Sequence, residues 1–241
     1  MSFEKIIEIK NLQKSFGGVK AIDNLNIKIT KNSITAIVGP NGAGKTTLFD
    51  IITGFTDSDD GLININDSEA TGKKPEEIVA LGLARTFQIP RLFKNLSIRE
   101  NLLLADNNSA NKLSDDEFEK KAKNIFDIIG VTMDLDKGAD EISYGQRRIV
   151  EIARCLMRNA EIILMDEPTA GLFQKARESI KQVIKKLKQA GKTIVIIEHD
   201  MEFVASACEH VIVMDKGKAI AEGVPSKVLK EKKVLAAYIG E

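Results

Sequence analysis

Five places in this 241-residue chain combine residue types that do chemistry on phosphates. The first is Gly39-Pro40-Asn41-Gly42-Ala43-Gly44-Lys45-Thr46-Thr47, which fits Gly-x-x-x-x-Gly-Lys-Thr. Glycines let the backbone wrap closely and aim N–H groups at phosphate oxygens, at a helix N-terminus already favourable to anions. Lys45 supplies a point charge for the β- and γ-phosphates, and the Thr46 hydroxyl is placed to ligate Mg²⁺. Gly39, Asn41, Gly42, Gly44 and Thr47 complete the cradle. The loop directly follows the apolar run Ile34-Val38 and opens a helix predicted over Lys45-Thr53, the context this motif requires.

The second place is Asp166-Glu167, two acids ending the apolar run Ile162-Met165. At the carboxyl edge of a parallel sheet, Asp166 faces the nucleotide and can hold Mg²⁺, directly or through water. Glu167 then polarises the attacking water as general base. Taken alone, the pair reads equally as solvated acids before Pro168; the phosphate loop tips the balance towards catalysis. His199 follows another apolar run, Thr193-Ile197, at the same expected edge, where it can contact the γ-phosphate and orient the water. Gln88, after Leu83-Phe87, is similarly placed to sense water or Mg²⁺.

The fifth place is Ser143-Tyr144-Gly145-Gln146, ahead of an amphipathic helix with Ile149, Ile152, Ala153 and Leu156 on one face. Ser143 and Gln146 form a capping-box pattern, which suffices to explain them. The same hydroxyl, glycine and free N–H groups also make an anion site. A chain with its own phosphate loop has no need of a second one, so Ser143, Gly145 and Gln146 fit the completion of a partner's site.

Short β-branched runs predict strands at Ile6-Ile9, Ile27-Ile29, Ile34-Val38, Leu62-Ile65, Leu83-Phe87, Ile162-Met165, Thr193-Ile197 and Val211-Met214. Helical spacing lies between several of them, with Ile180, Val183, Ile184 and Leu187 as a second clear face. Buried strands alternating with helices imply an α/β protein with a mainly parallel sheet. From about Ile89 to Ile142 the composition is helix-forming, clearest over Leu113-Ile129, without a convincing strand. That predicts an inserted helical subdomain at about 89–146, between core segments 1–88 and 147–241. Gly223-Pro225 marks a turn into a short Lys-rich helix ending near Tyr238-Ile239.

Composition bounds the alternatives. Thirty-five Lys and Arg balance thirty-five Asp and Glu, which argues against nucleic acid as a partner. Cys155 and Cys208 are distant from one another and suit small core residues in a reducing cytosol. Met1-Ser2-Phe3-Glu4-Lys5 shows no signal-peptide pattern. The pure apolar runs are far shorter than the ~20 residues of a membrane helix, so a membrane role must pass through a partner.

The ordered set of phosphate loop, Gln88, Ile142-Gln146, Ile162-Glu167 and His199 resembles an ATP-binding-cassette ATPase subunit over essentially the whole chain. That resemblance implies a RecA-like P-loop NTPase core with added antiparallel strands, a helical subdomain, and a dimer sandwiching two ATP molecules with Mg²⁺. It also implies that Phe16 stacks on adenine, against the plainer reading of packing beside the first strand. Two departures stand out. Tyr144 replaces the first of two glycines usual after the signature serine, and Phe173 stands where the family often has aspartate. Arg85-Thr86-Phe87-Gln88-Ile89-Pro90-Arg91-Leu92-Phe93-Lys94-Asn95-Leu96, Glu100-Asn101-Leu102-Leu103, Ser143-Gln146 and Tyr238-Ile239-Gly240-Glu241 look like the ATPase subunits of branched-chain amino acid importers. This implies a cytoplasmic protein on the inner face of the cell membrane. Its expected partners are a second ATPase subunit, identical or not, permease subunits docked after Gln88, and indirectly a solute-binding protein. Urea-type importers, the lipopolysaccharide-export ATPase and a soluble cassette ATPase are the alternatives.

Overall fold

In the computed structural model, which describes residues 4–106 and 113–239, β3 (Ile34–Val38) is buried at every position. It runs parallel between β8 (Thr193–Ile197) and β9 (His210–Asp215). Beyond β8 lie β7 (Ile162–Asp166) and β6 (Leu83–Thr86), also parallel, while β10 (Lys218–Gly223) is antiparallel on the far edge. The order is β10-β9-β3-β8-β7-β6. A second, antiparallel sheet has the order β2-β1-β4-β5, from β2 (Val19–Thr30), β1 (Lys5–Phe16), β4 (Asp60–Ile65) and β5 (Ser68–Glu69). This is the expected α/β architecture of a mainly parallel sheet with added antiparallel strands.

Strand alternation turns β7 and β8 towards two of the three core clusters, the third gathering Val38, Val204, Val213 and Val228 at the β9–β10 end. Ile163, Met165, Ile194 and Ile196 pack with α3 (Ile98–Leu103), α4 (Asp115–Ile129), α5 (Tyr144–Met157) and α6 (Gln174–Gln189). Ile162, Leu164, Val195 and Ile197 face the other way, towards α1 (Lys45–Ile52) and the antiparallel sheet. Helices α2 (Pro75–Ala80), α7 (Met201–Ala207), α8 (Pro225–Val228) and α9 (Lys232–Ile239) complete the chain.

Several expected boundaries move for identifiable reasons. The first two strands extend to twelve residues each, joined at Gly17-Gly18, because register shifts break the alternation that marks a strand. Phe87 lies outside β6: its N–H donates to Glu151 and its carbonyl accepts from Arg148. β5 and β10 have too little apolar patterning to be predicted. The expected single C-terminal helix is two helices, α8 and α9, broken over Leu229-Lys230-Glu231. Between β6 and α5, α3 and α4 are the helices among the described residues, and α5 runs through position 146/147. Met1–Phe3 and the closing Gly240-Glu241 lie outside the described residues.

Candidate active site

β3 ends at Val38 and the chain turns at once through the glycine-rich loop into α1. Two glycines are obligatory there. Gly39 has φ 151°, and a Cβ would lie 2.0 Å from the Met214 carbonyl oxygen of β9. Gly44, the N-cap at φ 97°, would place a Cβ 2.3 Å from the Ala21 carbonyl oxygen of the β1–β2 hairpin. The loop is thereby wedged between the two sheets. Leu48 and Phe49, fully buried, anchor α1 beneath it; burying such a side chain contributes about 1.5–3 kcal/mol.

Lys45 points back into this turn. Its Nζ donates to the carbonyls of Gly39 at 2.7 Å and Pro40 at 2.8 Å, and the residue is 6% exposed. Burial pushes its pKa below the usual lysine value, and the carboxylates of Glu167 and Asp166 pull it partly back up. Asn41, Gly42 and Thr46 are exposed, and Thr47 is half-buried.

The carboxyl ends of β6, β7 and β8 converge on one carboxylate. Glu167 follows β7 with φ 45°, a left-handed conformation held by its N–H bonding to the Ile197 carbonyl. Its Oε2 accepts from Gln88 Nε2 at 2.7 Å, and its Oε1 lies 2.9 Å from His199 Nε2. Gln88, Glu167 and His199, chosen from three distant stretches of sequence, thus form one cluster. The buried Asp166 is held differently: its Oδ2 accepts from Arg85 Nη2 at 2.9 Å.

Ser143 N-caps α5 by the capping box its sequence suggests: Ser143 N–H donates to Gln146 Oε1 at 2.9 Å and Gln146 N–H to Ser143 Oγ at 3.3 Å. Both side chains are therefore engaged with their own helix, while Ser143 and Gln146 remain exposed. Gly145 is half-buried against Ala176 and Leu172. Phe16 is exposed at the end of β1, with the Lys14 ammonium 5.3 Å from its ring centre. Phe173 is 89% exposed at the start of α6.

Sequence reasoning missed what five side chains do in organising the site. Glu198, buried, accepts from Thr169 N–H and Oγ1 and from His199 N–H, tying the loops after β7 and β8 together. Arg85 holds Asp166. On α5, the fully buried Arg148 donates to the carbonyls of Phe87 and Gln88, and Glu151 accepts from the N–H groups of Phe87 and Arg91. Tyr144, noted only as a departure, donates its hydroxyl to the Gln88 carbonyl at 3.1 Å. The available signal was charge on otherwise apolar faces: Arg85 inside a strand, and Arg148 with Glu151 one turn apart in a buried helix.

The donor set fits a magnesium ion carried by a nucleotide. Asp166, the Thr46 hydroxyl and the Gln88 amide are hard oxygen donors. Among the described residues no group of three or more His, Cys, Asp or Glu could hold an ion unaided. Mg²⁺ is commonly bound in this way, by one or two protein oxygens with water and substrate phosphates.

A family model described as ABC transporter matches residues 22–170, well over half of the chain. The chain belongs to the ABC transporter family. It is an ATP-binding subunit of that family and an ATP hydrolase. A high-affinity branched-chain amino acid transport ATP-binding protein of Pseudomonas aeruginosa is 36% identical, with 98% of each chain covered. A probable branched-chain amino acid transport ATP-binding protein of Methanocaldococcus jannaschii is 37% identical at the same coverage. Among solved structures, the ADP conformation of an ATP-binding cassette matches with TM-score 0.87 and 36% identity, covering 98% of this chain and 99% of that one. A dimeric post-hydrolysis cassette bound to ADP and Pi matches with TM-score 0.80 and 28% identity, covering 91% and 99%. No helix among the described residues of this cassette is long and apolar enough to cross a membrane.

Proposed function

We propose that this cassette powers import of branched-chain amino acids, working as a dimer on the inner face of the membrane. The observation that carries the catalytic reading is the Glu167 carboxylate held between Gln88 and His199 at the sheet edge that also carries Lys45. In this reading Glu167 is the general base, His199 contacts the γ-phosphate and orients the water, and Gln88 senses the water. Lys45 neutralises the β- and γ-phosphates, and Gly39, Asn41, Gly42, Gly44 and Thr47 cradle them through main-chain N–H groups. Thr46, Asp166 and Gln88 would hold Mg²⁺, which would supply charge neutralisation on the phosphates. Phe16 stacks on adenine. Ser143, Gly145 and Gln146 of a second subunit close the site; their own capping box leaves main-chain N–H groups at the helix start for the partner's phosphate.

In this reading the permease docks on the segment after Gln88, beside a cavity of about 760 Å³ bounded by the end of α1, α2, β6 and α5 and lined by Phe55, Leu83, Phe87, Leu92, Phe93 and Arg154 among others. Exposed Ile89 and Phe93 extend its apolar rim. Core segments 1–88 and 147–241 and a helical subdomain 89–146 remain our division, with α5 shared between them. The solute-binding protein acts through the permease. The branched-chain assignment rests on the names of the relatives and the segment after Gln88.

Reconstitution with the cognate permease and solute-binding protein tests this reading. Leucine, isoleucine and valine are expected to stimulate ATP hydrolysis. Stimulation by urea alone, or by no amino acid, sinks the importer assignment and leaves the ATP hydrolase intact.

A further inference from the structure

Arg85 is the one charged residue of β6, and its side chain is only 6% exposed. Its two terminal nitrogens part towards two carboxylates: Nη1 donates to Asp50 Oδ1 of α1 at 2.6 Å, and Nη2 to Asp166 Oδ2 at 2.9 Å. The guanidinium carbon sits 5.5 Å from the Phe49 ring centre and 5.1 Å from that of Phe87. A planar fork held by two acids and two rings has almost no rotational freedom. One oxygen of Asp166 is committed to it.

The position of this fork matters as much as its strength. Asp50 lies one turn and a half beyond Lys45 on the helix that opens from the phosphate loop. Arg85 therefore connects that helix to the acid at the end of β7. It also lines the 760 Å³ cavity, so whatever occupies that cavity and Asp166 share a side chain.

We propose that Arg85 is a positioning residue for Asp166, with Asp50 as the anchor that fixes Arg85. The proposal rests on the reading of Asp166 as the acid that serves the nucleotide's Mg²⁺. Its role is exerted through Asp166, not by contact with substrate or metal. It fixes the rotamer of the carboxylate, balances its charge, and leaves Oδ1 as the oxygen it does not engage. Groups that orient a metal's ligand typically change metal affinity or activity ten- to a hundredfold when removed.

The test uses titration calorimetry of ATP, with and without MgCl₂, on the full chain carrying Glu167→Gln to prevent turnover. The quantity read is the gain in ATP affinity on adding Mg²⁺. Arg85→Met is expected to reduce that gain about tenfold or more while metal-free ATP affinity stays as in the parent. Arg85→Lys, which keeps the charge but not the fork, and Asp50→Asn are expected to reduce it less. Thermal unfolding reports folding, and if Arg85→Met does not fold, the other two variants decide. An unchanged gain in folded variants overturns the proposal, as does an equal loss of metal-free affinity, which marks general damage to the loop. Asp166→Asn separates the two levels. If it abolishes the gain while the Arg85 and Asp50 variants keep it, only the positioning role fails; if Asp166→Asn itself keeps the gain, the reading of Asp166 fails too.

Discussion

Gln88 Nε2 donates to Glu167 Oε2 at 2.7 Å, across 79 residues of sequence. With His199 Nε2 at 2.9 Å from the other oxygen, both carboxylate oxygens of Glu167 have a fixed partner. A carboxylate restrained from two sides needs little reorganisation, the kind of preorganisation that the proposed role of Glu167 as general base calls for.

Glu167→Gln keeps the shape of the side chain and removes its basicity. Turnover is expected to fall by about a hundredfold or more, the usual worth of a positioned general base. ATP binding should persist, and light scattering should detect an ATP-dependent dimer that no longer dissociates. Near-parental turnover removes Glu167 from the role.

Lys45→Ala deletes the buried ammonium that now bonds to the Gly39 and Pro40 carbonyls. A hydrogen bond to a charged group contributes about 1.5–3 kcal/mol, so ATP affinity should weaken roughly ten- to a hundredfold. Fluorescence titration with a labelled ATP analogue reads this directly; unchanged affinity contradicts the phosphate role.

The pair of Arg148 and Glu151, 3.0 Å apart and almost wholly buried, predicts a non-additive stability pattern. Glu151→Ala strands a buried guanidinium and should cost about 3–5 kcal/mol in urea unfolding. The double variant Arg148→Met with Glu151→Met is expected to lose less than the sum of its singles. Simple additivity rules out a coupled pair.

Burial pushes both thiols, Cys155 and Cys208, up to about 12. At pH 8 about one thiol in ten thousand is then ionised, and neither should react with a disulfide reagent until the chain unfolds. Between the unfolded value near 9 and about 12 the native state holds more protons, so stability falls as pH rises through that window. Replacing both cysteines with alanine should flatten the fall in urea midpoint above pH 9. An unaltered slope assigns it to other groups.

The glycine-rich turn after β3 and the meeting of Gln88, Glu167 and His199 were legible because each follows an apolar run that ends at the same sheet edge. β3 and β8 matched their predicted limits because a strand buried on both faces is an uninterrupted apolar run. The long hairpin was only half legible, since its register shifts erase the alternation. Arg85 and Asp166 pair across 81 residues, and Arg148 reaches Phe87 across 61. No local pattern encodes such partnerships. Only an ionic residue in an apolar context hints that one exists.

The segment after β6 is held almost entirely by its backbone. Tyr144, Arg148, Glu151 and Arg154 all hold it through main-chain atoms of Phe87, Gln88 and Arg91, and Asn101 does the same at Phe93. Contacts to the main chain are indifferent to the side chains it carries. The path of residues 87–93 is therefore set by α3 and α5, and exchanging the exposed side chains of Ile89 or Phe93 is expected to leave undisturbed the amide that reaches Glu167.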